Sequence, residues 1–66
     1  MFVVTDHTYK PCKKYEVNDI KTVADIVVGI TGNEEDGLKV EILCGDMYFG
    51  DTHISRAGYT VDCVRE

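Results

Sequence analysis

Asp51, His53 and Cys63 are the residues of this 66-residue chain whose types could together perform nucleophilic chemistry. A thiol beside an imidazole can give up its proton and attack, and a carboxylate can orient the ring. If the last third of the chain is read as strands, the three fall on one face of neighbouring strands. The same alternation explains Cys63 more simply. It continues the apolar series Tyr59, Val61, Cys63, where a cysteine acts as a small core hydrophobe. So short a chain also has little room for a substrate pocket. A non-enzymatic protein is expected, with a thiol-based enzyme or redox role at Cys63, His53 and Asp51 as the alternative.

Metal chemistry has weaker support. His7, Cys12, Cys44, His53 and Cys63 are the soft or borderline ligands, and the nearest two, His7 and Cys12, are five residues apart. Structural zinc sites pair their ligands at roughly two to four residues. Asn33-Glu34-Glu35-Asp36-Gly37 lacks the alternating ligands and terminal glutamate of a calcium loop. Gly29-Ile30-Thr31-Gly32 is followed by no Lys-Ser or Lys-Thr and is not a phosphate loop. No metal or cofactor is expected.

Charge separates the remaining functions. The chain carries twelve acidic and seven basic residues, net −5. Residues 1–21 are net +1 and residues 22–66 net −6. Lys10, Lys13 and Lys14, flanked by Tyr9 and Tyr15, have the makings of a site that stacks bases and holds phosphates. A single-stranded nucleic-acid accessory role is the second alternative, opposed by the acidity of the rest. An acidic face instead competes for a basic protein surface and speeds that encounter. The leading expectation is a small acidic protein acting by protein–protein contact. Its tools are Glu34, Glu35, Asp36, Glu41, Asp46 and Asp62, together with Tyr48 and Ile54 on an outer sheet face. By analogy of scale alone, an inhibitor or accessory protein of a phage or other mobile element fits this size and charge.

The elements that must position these residues follow from periodicity. Phe2 to Tyr9 is rich in β-branched and aromatic residues and reads as a strand, ended by Lys10-Pro11. Residues 10–16 read as a basic connection. Ile20, Val23, Ala24, Val27 and Ile30 recur at helical spacing behind Asn18 or Asp19 as cap, with Gly32 as a left-handed stop. The β-branched run Ile26-Val27-Val28 leaves a strand over Ala24 to Ile30 as the alternative. Asn33 to Gly37 reads as a polar loop. Leu38, Val40, Ile42 and Cys44 then alternate with Lys39 and Glu41, as a strand does, and Gly45-Asp46 suits a type II′ hairpin turn. In that register Cys44 faces Met47 and Ile42 faces Phe49. A second turn at Arg56-Ala57-Gly58 sets Ser55 opposite Tyr59, His53 opposite Val61 and Asp51 opposite Cys63. Tyr48, Ile54 and Val64 then point outward.

The fold expected is α+β: one compact domain over residues 1–66, ordered β-α-β-β-β, with one helix on a three- or four-stranded mainly antiparallel sheet. A domain this small buries only about 60% of the surface its unfolded chain exposes. Pairing of two copies along open strand edges is therefore expected, giving a homodimer. Three cysteines without short spacings read as reduced thiols, and hence as a cytoplasmic protein. The apolar start Met1 to Val4 is too short for a signal peptide, and no run approaches a membrane span.

Overall fold

β-Branched and aromatic residues gather at the two ends of the chain and meet as the centre of one sheet. The computed structural model describes residues 1–47 and 53–64. Along the chain run β1 (Phe2–Asp6), β2 (Lys13–Val17), α1 (Ile20–Thr31), α2 (Glu34–Met47), β3 (His53–Arg56) and β4 (Tyr59–Cys63). The four strands form one antiparallel sheet in the order β2-β1-β4-β3. Central β1 pairs Val4 with Tyr15 on one side and with Val61 on the other. Backbone bonds between Met1 and Val64 carry the β1–β4 pairing one residue further.

The α+β class holds, as two layers: a four-stranded antiparallel sheet covered on one face by helices. Among the described residues the element order is β-β-α-α-β-β, with two helices in place of the single helix expected. Helix α1 follows its sequence signals. Asp19 is its N-cap in extended conformation, and Gly32 ends it at φ 71°, donating its N–H to the Val28 carbonyl at 2.7 Å. Val23, Ala24 and Val27 turn inward, so the strand alternative over this segment falls away.

Two segments depart from expectation. The basic connection expected over residues 10–16 instead enters edge strand β2, Lys13–Val17, whose exposed Lys13, Lys14 and Glu16 flank half-buried Tyr15 and Val17. The supposed loop at Asn33 to Gly37 and the supposed strand from Leu38 are one helix, α2. Asn33 caps it, its Oδ1 accepting the Glu35 N–H at 2.9 Å. Glu34, Glu35 and Asp36 fill its first turn, where carboxylates favour the positive helix end. The buried residues of α2 are Gly37, Val40, Cys44 and Met47, spaced three, four and three apart, which is helical spacing. Gly45-Asp46 is therefore helix interior and not a hairpin turn.

Gly37 lets the two helices meet. A Cβ built on it would lie 2.5 Å from Val28 Cγ2 and 3.2 Å from the Ala24 carbonyl oxygen. The core between the layers holds Phe2, Val4, Ile54, Tyr59, Val61 and Cys63 from the sheet and Val23, Val27, Val40, Cys44 and Met47 from the helices. The last hairpin turns through two residues, with Gly58 at φ 93°. Its register is one residue from the expected one: Arg56 faces Tyr59, Ile54 faces Val61 and His53 faces Asp62. The shift reverses β3, so Ile54, expected on the outer face, is buried in the core. Phe49, Gly50 and Thr52 lie outside the described residues, as do Tyr48 and Asp51.

Candidate functional site

The narrow buried stripe of α2 leaves the opposite side of the helix to solvent, and that side combines charge with apolar surface. Leu38 and Ile42 stand one turn apart and are 61% and 70% exposed. Glu34 lies one turn before Leu38 and Asp46 one turn after Ile42, both exposed, with Glu35 beside Glu34. Lys39 is the one cation of the helix against Glu34, Glu35, Asp36, Glu41 and Asp46. The result is a short apolar ridge with carboxylates at both ends.

A groove runs along each flank of this ridge. One, of about 430 Å³, lies between α1 and α2 and is lined by Lys21, Asp25, Val28, Leu38 and Glu41. The other, of about 500 Å³, lies between α2 and the β3–β4 hairpin and is lined by Asp36, Lys39, Ile42, Leu43, Arg56 and Tyr59. Burial raises the Tyr59 hydroxyl above its ordinary pKa, and the nearby Asp36 carboxylate adds to the rise.

The expected binding residues are partly brought together. Glu34, Glu35, Asp36, Glu41 and Asp46, expected on a loop, a strand and a turn, all stand on α2. Asp62 stands apart, on the uncovered sheet face, where its Oδ1 meets His53 Nδ1 across the strands. Ile54 is inside, and Tyr48 lies outside the described residues. Leu38 and Ile42, expected on the core face of a strand, are instead the exposed centre of the ridge. The signal that finds them is Asn33 followed by three acids, a cap and first turn that set the helical period.

The expected thiol constellation does not form. His53 is exposed on the open face of the sheet, Cys63 is buried on the covered face, and Asp51 lies outside the described residues. Among the described residues no three His, Cys, Asp or Glu side chains gather as a metal site. Of the basic segment, Lys13 Nζ sits 4.6 Å from the Tyr9 ring centroid, and Tyr15 packs against the core. Its tyrosines thus form no open stacking pair.

A different thiol–imidazole pair sits at the loop end of the sheet. Cys12 Sγ lies 3.3 Å from His7 Nδ1, and the other ring nitrogen, Nε2, lies 3.3 Å from Thr60 Oγ1. The His7 backbone N–H donates to the Gly58 carbonyl at 3.0 Å, which ties the histidine to the β3–β4 turn. Asp6, next to it, is buried and accepts from both the N–H and the hydroxyl of Thr8. Those bonds, the side-chain one foremost, hold its carboxyl below the ordinary aspartate pKa.

Compared with known families, characterised proteins and solved structures, the chain matches none. Among the described residues, no helix is long and apolar enough to cross a membrane.

Proposed function

We propose that this protein is a non-enzymatic binding module that docks through the outer face of α2 onto a partner protein. The partner surface has an apolar centre and a basic rim. The observation that carries this reading is the pair Leu38 and Ile42, 61% and 70% exposed between Glu34 and Asp46. A small domain that leaves two large aliphatic side chains in water gives up about 1.5–3 kcal/mol for each. The flanking carboxylates say what covers them. They steer toward Lys and Arg and repel an acidic surface. They also repel a second copy of the same helix. A homodimer through this face would place Glu34, Glu35 and Asp46 against their own kind. Edge pairing is the other route to a homodimer, and lysines on β2 and the shortness of β3 oppose it. A stoichiometric inhibitor or accessory protein is the type of molecule proposed, since one compact contact face is all that such a role requires.

The test compares affinity captures with the native protein, the Leu38→Ser/Ile42→Ser variant and a Glu34→Lys/Glu35→Lys variant. A specific basic protein should be retained by the native chain and lost from both variants. Its affinity for the serine variant should fall at least about 30-fold, from roughly 2 kcal/mol of lost burial. Equal capture by all three chains would overturn the reading. So would light scattering that showed a native dimer broken by the serine variant, since a second copy would then occupy the face.

A further inference from the structure

We propose that Cys12 is a reactive thiol that exchanges with anionic low-molecular-weight disulfides, with His7 as its proton acceptor and Thr60 holding the imidazole in place. The proposal rests on the loop end of the sheet and not on α2, so either reading can fail without the other.

The three cysteines are free and differ sharply in setting. Cys44 and Cys63 are buried in the core, and Cys12 is exposed. Exposure alone would make Cys12 an ordinary surface thiol, but its sulfur faces the Nδ1 of His7 at 3.3 Å. The ring is held on its other side, with Nε2 at 3.3 Å from Thr60 Oγ1, and the His7 main chain is anchored by its N–H donating to the Gly58 carbonyl. When Nε2–H donates to the Thr60 hydroxyl, Nδ1 presents its lone pair to the sulfur. This is the arrangement that nucleophilic chemistry uses: a thiol, a base in reach of its proton, and a third group that orients the base. The three residues come from separate places, the end of β1, the turn before β2, and β4. Only the sheet pairing brings them together.

The surroundings select the reagent. Lys10, Lys13 and Lys14 lie within two residues of Cys12 and are all exposed. The nearest carboxylate in sequence is exposed Glu16, one against three lysines, and Asp6 on the other side is buried and engaged by Thr8. A positive rim on an otherwise acidic chain favours an anionic disulfide of the glutathione type. The disulfide reagent is itself the oxidant: Cys12 sulfur is oxidised and the expelled half of the reagent is reduced. His7 Nδ1 takes the thiol proton as Cys12 Sγ attacks one sulfur of the disulfide. The reagent's S–S bond breaks, a bond from Cys12 Sγ to that sulfur forms, and the expelled thiolate takes the proton from His7. The product is a reversible mixed disulfide that places negative charge on the basic loop.

The test exposes the native protein to oxidised glutathione at pH 7 and follows intact mass, with the adduct mapped by peptide. One adduct per chain is expected, on Cys12. His7→Gln should slow its formation at least about fivefold, since a positioned base commonly contributes more than that. Thr60→Val should slow it by about threefold and Thr60→Ser should restore the native rate, as expected when the hydroxyl positions the ring. Replacing Lys10, Lys13 and Lys14 by glutamine should slow reaction with oxidised glutathione but not with neutral hydroxyethyl disulfide. Circular dichroism of each variant checks that it is folded. An unchanged rate in folded His7→Gln would overturn the proposal. So would an adduct confined to Cys44 or Cys63, or a Cys12–Cys12 linked dimer as the sole product.

Discussion

Gly37 of α2 stands so close to Val28 of α1 that a methyl group on it would lie 2.5 Å from Val28 Cγ2. This approach sets the roll of α2. With Gly37, Val40, Cys44 and Met47 turned inward, Leu38 and Ile42 have nowhere to go but outward. The contact that closes the helix pair is thus also the one that presents the apolar ridge.

The helix glycines should respond to alanine with opposite signs. At Gly37 the new methyl meets a stiff β-branched side chain and a backbone carbonyl. Overpacking there outweighs the gain in helix propensity, for a net loss of about 1–2 kcal/mol. Gly29 and Gly45 have nothing within 4 Å of a built Cβ. Alanine at either should stabilise by about 0.5–1 kcal/mol. Urea unfolding of the three single variants measures all of this, and a stabilised Gly37→Ala would sink the close-approach account.

Leu38 and Ile42 contribute little to the isolated fold. Serine at both positions should change thermal stability only slightly, within about 0.5 kcal/mol per site. Val40→Ala, midway in sequence between the exposed pair but 2% exposed, should cost about 1–3 kcal/mol. Thermal melts that ranked the two variants in reverse order would mean that α2 is rolled differently.

Alkali should loosen the core through Cys44. Burial pushes its thiol up from an ordinary 9.0 to about 11, with Cys63 adding to the rise. The folded state therefore keeps a proton that the unfolded chain gives up. The stability tied to this proton is complete below pH 9, declines as pH rises above it, and is lost by about 11. Melting temperature should fall across that window, less steeply in Cys44→Ala. A variant with the native slope would show that other groups govern the decline.

Acid should expose the role of Thr8. Its two bonds to Asp6 depress that carboxyl, so the stability they confer is present above the ordinary aspartate range and lost as pH falls through the lowered value. An NMR titration should find Asp6 ionising below 3.8 in the native protein and moving upward in Thr8→Ala, whose backbone N–H remains. No movement would assign the depression to the Thr8 backbone N–H and the neighbouring charges of Lys13 and His7.

The residues themselves determined a good part of this protein. The strand at Phe2, the helix from Ile20 with its left-handed stop at Gly32, the apolar alternation Tyr59, Val61, Cys63 and the reversal at Gly58 are all local signals. Each depends on side-chain spacing or on a backbone conformation that only glycine adopts freely. The α+β class and the acidity of the second half follow from the same reading.

Tertiary structure decided the rest. Leu38, Val40, Ile42 and Cys44 satisfy a period of two, while Val40 and Cys44 also satisfy the helical stripe completed by Gly37 and Met47. Only packing against α1 selects which of them is core. The register of β3 on β4 differs by one residue between a two-residue and a three-residue turn, and that step moves Ile54 from the surface to the interior. His7, Cys12 and Thr60 meet because β1 pairs with a strand that lies more than fifty residues away. Local sequence can specify a helix or a turn, but contacts between distant segments depend on how the whole chain buries its apolar surface.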